Sequence, residues 1–247
     1  VKIMINSVYL PVSFNNIDLI IGTKTCLNDV NFTISDNGIT VIMGSNGSGK
    51  TLLLKLLAGV IQTTTGTIHW QQQPQPPRLT MVPAKAVLLN RSVWENIALP
   101  LHYNIHANSK RAHASKTNSD TVETKNKIID DALAWANITY LKQRQAKSLS
   151  TGEQQLVALA RAWALKPQIL LLDEITANLD PVRTQKINAL IQDLSSSCKI
   201  ILTTHNITQA KGLASDILLL EQGCVSIHAD TDTFFNSNEL QHFLGLV

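Results

Sequence analysis

Between two apolar stretches, ITVIM at 39–43 and LLLKLLAG at 52–59, the chain reads Gly44-Ser45-Asn46-Gly47-Ser48-Gly49-Lys50-Thr51. Glycine at three of the first six positions weakens strand and helix alike, so this octapeptide is a loop. The β-branched ITVIM reads as a buried strand, and the leucine-rich run as a helix ending near Gly59. Strand, glycine-rich loop and helix, in that order, are the setting of a phosphate-binding loop. There the glycines let backbone N–H groups close on phosphate oxygens, Lys50 reaches the terminal phosphates, and the Thr51 hydroxyl can ligate magnesium. The helix start adds its positive end.

Three further stretches supply chemistry for such a loop. ILLLD at 169–173 is an apolar strand pattern ending in a carboxylate, and Asp173 is placed to hold magnesium through water. Glu174 follows, where a carboxylate can orient and deprotonate an attacking water. KIILTT at 199–204 ends at His205, where an imidazole can contact the terminal phosphate or bridge it to Glu174. LSTGE at 149–153 precedes the helical period QQLVALARAWAL. Its Ser-x-x-Glu spacing is a capping box, and a capped helix start is itself an anion site.

The remaining pattern is α/β. Residues 1–43 alternate short apolar runs with turn residues at SFNN and DNG, as antiparallel strands do. LTMV at 79–82 reads as a strand, and Ser92 with Glu95 forms a second capping box. Residues 104–127 are polar and mixed in charge, and read as a solvated loop or frayed insert. NKIIDDALAWANI is helical in period. ILLLD and KIILTT, separated by a helical stretch, suit parallel strands with a crossover helix. DILLLEQGCVSI reads as a strand pair turning at Gln222 and Gly223, and FFNSNELQHFLGL as one terminal helix. The expected fold is a P-loop core with a mostly parallel sheet, an N-terminal antiparallel β subdomain and an inserted helical subdomain at roughly 88–150. All of it fits a single domain spanning 1–247.

Composition narrows the partners. With 247 residues, 44% hydrophobic and 16% charged, the chain can bury one large core or two small ones. A net charge of +3 is too small for a nucleic-acid footprint. Cys26, Cys198 and Cys224 lie far apart with no CxxC spacing, so neither zinc nor a disulfide framework is expected. No apolar run approaches the ~18 residues that cross a bilayer, and no basic-then-apolar signal pattern opens the chain, so a cytoplasmic location is expected. The five Asn-x-Ser/Thr sequons are then chance matches.

GSNGSGKT, LSTGE, ILLLDE, NLD at 178–180 and His205 occur in the order and spacing of the nucleotide-binding subunits of ABC transporters, which this chain resembles over essentially its whole length. The resemblance implies ATP and Mg2+ as cofactors. It implies a head-to-tail homodimer with two ATP molecules sandwiched at its interface, each between Gly44–Leu52 of one chain and Ser150 and Gly152 of the other. Thr51 and Asp173 would serve magnesium, Glu174 would be the catalytic base, Lys50 and His205 would assist at the terminal phosphate, and Asp180 would link the two sites. Ile21 falls where the adenine-stacking residue is expected. A separate membrane permease would dock over the helical insertion at the cytoplasmic face, served by an extracytoplasmic substrate-binding protein. VLLNRSVWENIALPL, GEQQ, DEITANLDP and FFNSNELQHFLG look like the ATPases of tungstate-type oxyanion importers.

Three positions depart from the family pattern. Ala84 stands where a glutamine is usual, and without a polar atom it can neither ligate magnesium nor orient water. Lys85 or a glutamine of QQQPQ at 71–75 is the candidate substitute. Ile21 offers an aliphatic face in place of an aromatic one, with Tyr9 or Phe14 as alternatives. Thr151 replaces a glycine in the LSTGE turn. Two other functions are compatible with these departures: a hydrolysis-impaired regulatory or scaffold subunit, and a soluble non-transport ATPase of the same family.

Overall fold

The computed structural model describes residues 9–35, 38–71, 77–109 and 118–245. These divide into two compact units, one within Val1–Met81, Gln168–Glu174 and Ile191–Val247, the other within Val82–Pro167 and Ile175–Leu190.

In the first unit, β1 (Val12–Ile21) and β2 (Lys24–Ile34) form an antiparallel hairpin. The residues read as the turn SFNN lie inside β1 instead. The strand bulges there, with register shifting between Phe14 and Ile17 and Asn16 at φ 49°. Asparagine tolerates that conformation. Asn16 N–H donates to Asn31 Oδ1 at 2.7 Å and its side-chain amide to Asp29 Oδ1 at 2.9 Å, so the bulge is bonded rather than open. It resets the alternation so that Val12, Phe14, Ile17 and Leu19 all face the core. The DNG residues Asp36 and Asn37 lie outside the described residues.

β3 (Ile39–Met43) follows, with all five residues buried, then α1 (Lys50–Leu57) and β4 (Thr65–Trp70), which pairs β1. Gly59, at φ 67°, comes just after α1, as the helix-end reading expects. β5 (Leu79–Val82), β6 (Ile169–Asp173), β7 (Lys199–Thr204), β8 (Asp216–Glu221) and β9 (Cys224–Asp230) complete a six-stranded sheet in the order β5-β6-β7-β3-β8-β9. β6, β7, β3 and β8 run parallel, and β9 returns antiparallel through Gln222 (φ 48°) and Gly223 (φ 84°). Strands buried on both faces need mostly apolar runs, as ITVIM and ILLLD are. α1 buries Leu53, Leu54, Leu56 and Leu57 in the core that also holds Phe14 stacked on Phe32 at 4.1 Å. Register sets Asp173 beside Thr203 and Met43 beside Thr204, so the carboxyl ends of three strands finish level.

The C-terminal stretch read as one helix is two. Asp230 caps a short helix at Thr231–Phe235, and Ser237 accepts from Leu240 N–H at 3.2 Å to start another at Asn238–Phe243. A second N-cap interrupts what hydrophobic spacing alone would continue.

The second unit is helical. α2 (Val93–Ser109) begins at the expected box: Ser92 N–H donates to Glu95 Oε2 at 2.9 Å, and Glu95 N–H to Ser92 Oγ at 3.2 Å. α3 (Asn118–Trp135) and α4 (Thr151–Ala164) follow, with Trp135 and Trp163 stacked at 5.8 Å, and α5 (Pro181–Leu194) begins here. The loop expected at 104–127 is corrected on both flanks, where α2 runs on to Ser109 and α3 already starts at Asn118. Extending a capped, packed helix adds a hydrogen bond per residue without a new nucleation cost, so polar sequence follows an apolar anchor. Residues 110–117 lie outside the described residues.

Candidate nucleotide-binding site

The loop after β3 is built around missing side chains. A Cβ on Gly44 would lie 2.2 Å from Leu220 O, and one on Gly49 2.7 Å from Leu27 Cδ2. Gly49, at φ 109°, is also the N-cap of α1, a conformation that other residues adopt only with strain. Ser48 N–H turns back to Ser45 O at 3.2 Å, and Gly223 N–H bonds Ser48 O at 3.1 Å. The β8–β9 turn therefore braces the loop, a support that no motif announces.

Lys50 is 5% exposed. Its ammonium donates to the carbonyls of Gly44 and Ser45, both at 2.9 Å, and lies 3.1 Å from Glu174 Oε1. The buried cation is thus compensated by two carbonyls of its own loop and by a carboxylate. The Thr51 hydroxyl reaches Asp173 Oδ1 at 2.9 Å and Oδ2 at 3.0 Å. Leu52 is partly buried and packs its side chain on the core.

Glu174 sits one residue past β6 at φ 44°, the left-handed region where a glutamate is strained. Thr203 holds it there. Thr203 Oγ1 accepts Glu174 N–H at 3.0 Å and donates to Asp173 Oδ1 at 2.8 Å, while Thr203 O also accepts Glu174 N–H at 3.2 Å. A single buried threonine thus orients both acids. Glu174 Oε2 then meets His205 Nδ1 at 3.2 Å. Lys50, Glu174 and His205 form a continuous line, with Thr51, Asp173 and Thr203 beside it. Sequence reading missed Thr203, although a hydroxyl following the apolar IIL of KIILTT was the available signal.

This geometry fits a phosphate chain and a hard cation. A Cβ at Gly44 or Gly49 would strike the loop's own surroundings, the buried Ser48 Oγ meets no hydrogen-bond partner among the described residues, and Thr51 with Asp173 offers two oxygen donors within bonding distance. Ile21 ends β1 opposite Lys24 and is 52% exposed. Phe14 is buried against Phe32, which removes it as an adenine-stacking alternative.

Ser150, Gly152 and Asp180 belong to the second unit and gather there on their own. Ser150 N–H donates to Glu153 Oε2 at 2.9 Å, and Glu153 N–H to Ser150 Oγ at 3.4 Å, the expected capping box on α4. Those bonds from the Ser150 backbone and hydroxyl, reinforced by Arg144 and Arg183, hold the Glu153 carboxyl below its ordinary range. Thr151 occupies the first helical position. Asp180 accepts Arg183 N–H at 2.9 Å, which keeps its own carboxyl low. Gln155, 1% exposed, donates its amide to Ala84 O at 2.6 Å, so the turn at position 84 is held through its backbone. Lys85 is exposed, and QQQPQ beyond Gln71 lies outside the described residues.

A parallel sheet carrying a phosphate loop after one strand, and paired acids after another, defines a P-loop nucleoside-triphosphatase core. Residues 27–177 match the ABC transporter family. A tungstate uptake system ATP-binding protein, TupC of Peptoclostridium acidaminophilum, is 34% identical over 231 residues, 92% of this chain and 100% of that protein. A phosphate import ATP-binding protein, PstB of Bacillus cereus, is 30% identical, covering 90% of this chain and 84% of that one. In fold, cbiO1 of Clostridium perfringens, described as part of the ABC transporter complex cbiONQ, superposes with a TM-score of 0.76 at 22% identity, over 96% of this chain and 95% of that one. The chain belongs to the ABC transporter family, and it is an ATP-binding ATPase.

Proposed function

We propose that the protein is the ATP-hydrolysing subunit of an importer for tungstate or a similar oxyanion. The observation that carries the catalytic half is the line Lys50–Glu174–His205, with Lys50 3.1 Å and His205 3.2 Å from the two oxygens of one carboxylate. The oxyanion half rests on likeness to relatives named for tungstate uptake and phosphate import.

Gly44 to Leu52 would wrap the phosphates, and Lys50 would turn its ammonium from Glu174 to the terminal phosphate when ATP enters. That exchange of one anion for another frees the Glu174 carboxylate to take a proton from water, with His205 fixing its second oxygen. Thr51 and Asp173 would hold Mg2+, which when bound neutralises charge on the phosphates. Thr203 keeps both acids aimed as the cation exchanges partners. Ile21 would lie against adenine.

Ser150 and Gly152 would face the terminal phosphate bound by a second copy, with Asp180 at the same interface, giving a head-to-tail homodimer around two ATP molecules. The capped start of α4 suits that role because its dipole favours an anion. Hydrolysis would act on a separate permease at the cytoplasmic face, fed by an extracytoplasmic binding protein. No described helix is long and apolar enough to cross a membrane.

Reconstitution with a permease and binding protein of the tungstate type tests this. ATP hydrolysis stimulated by tungstate or molybdate supports it; stimulation by a neutral solute or amino acid alone overturns the oxyanion assignment.

A further inference from the structure

We propose that Arg183 is a positioning residue for ATP-driven pairing of two chains: it clasps the Asp180 loop to the Ser150–Gly152 turn so that both are presented together. This deepens the reading of the sandwich given above and rests on it.

Gly152 is the starting point. Its φ lies outside the left-handed region that favours glycine, so its backbone admits any residue. What a side chain would meet there is Arg183. A Cβ at Gly152 would lie 2.5 Å from Arg183 Cδ and 3.1 Å from Arg183 Nε. Any side chain here would have to displace the arginine that lies across it.

Asp180 holds that arginine. The Arg183 backbone N–H donates to Asp180 Oδ1 at 2.9 Å, and the guanidinium Nη1 lies 3.2 Å from Asp180 Oδ2. One carboxylate therefore caps the start of α5 with one oxygen and grips the side chain with the other. Arg183 also helps keep Glu153 ionised in the box that starts α4. Its side chain is 50% exposed and that of Asp180 46%. An exposed pair adds little to the stability of a single chain, so its consequence is geometric. It fixes where the turn stands relative to the Asp180 loop, and sets a cation beside the turn that would meet a phosphate.

The test uses full-length chains carrying Glu174→Gln, which should hold ATP without hydrolysing it. Dimerisation with ATP and Mg2+ is followed by sedimentation, and nucleotide affinity and melting are measured on the same chains. Adding Arg183→Ala should leave melting and the affinity of the single chain unchanged while raising the protein concentration for half-dimerisation roughly tenfold. Gly152→Ala should push Arg183 aside and give a similar loss, and the Gly152→Ala/Arg183→Ala pair should be no worse than either alone. Arg183→Lys, which keeps the charge without the fork, should fall between. Arg183→Ala dimerising like its parent, or the two changes adding in full, would overturn the role of Arg183 alone. A Glu174→Gln parent that stays monomeric under saturating ATP would overturn the sandwich, and the clasp with it.

Discussion

The phosphate loop and the LSTGE turn both offer a helix start to an anion, yet they are built in opposite ways. Around Lys50 the key groups are held from below: the buried ammonium has two carbonyls and a carboxylate, and buried Thr203 ties both acids. The LSTGE turn is exposed at Ser150 and Thr151, and its capping box and the Asp180–Arg183 pair lie in reach of water. The first is an apparatus fixed by its own core. The second is a surface whose value depends on what approaches it.

Changes in the first region should therefore be felt in chemistry and in the stability of a buried site, and changes in the second in association and more weakly in stability. The largest effect is expected from Lys50→Ala, which removes the fixed cation and should lower ATP hydrolysis by about a thousandfold or more, read as phosphate release. Glu174→Gln should lower it roughly a hundredfold or more while leaving ATP binding intact, measured with a fluorescent nucleotide. An unaltered rate would mean that another group takes the proton.

Thr203→Val sharpens the contrast by cutting the bond to Asp173 and the side-chain bond to Glu174 N–H in a buried site. It should cost about 1–3 kcal/mol in denaturant unfolding. In the exposed region Ser150→Ala should cost about 1 kcal/mol, as the loss of an N-cap does. A larger cost there than for Thr203→Val would reverse the comparison.

The smallest effect is one of pH. Glu153 is held below its ordinary value near 4.5, so its contribution is fully present above that pH and is lost as the pH falls through its folded value. The melting difference between the native chain and Glu153→Gln should shrink on acidification from pH 6 to pH 3. A difference constant over that range would remove the carboxylate from the cap.

Much of this was legible in the sequence, for a physical reason. Phosphate loops, capping boxes and doubly buried strands depend on short-range spacing, which GSNGSGKT, STGE and ILLLD display directly. Contacts made across the fold were not. Thr203 reaches Asp173 only because β6 and β7 run side by side, and Arg183 meets Gly152 across the gap between α4 and α5. The bulge at Asn16 looks like a turn in sequence because its partners Asp29 and Asn31 lie on the next strand. The C-terminal pair of helices looks like one in sequence because apolar spacing runs on across the second N-cap at Ser237.

The central claim is that the phosphate loop of one chain is completed by the turn of another, and mixing two crippled variants tests it most directly. Lys50→Ala spoils the loop and Gly152→Asp sets a carboxylate where the phosphate would lie; each alone should be nearly inactive. In a mixed head-to-tail dimer one site carries both defects and the other carries neither, so the mixture should regain ATP hydrolysis well above the sum of its parts. Activity no greater than that sum, with both variants folded, would contradict the account.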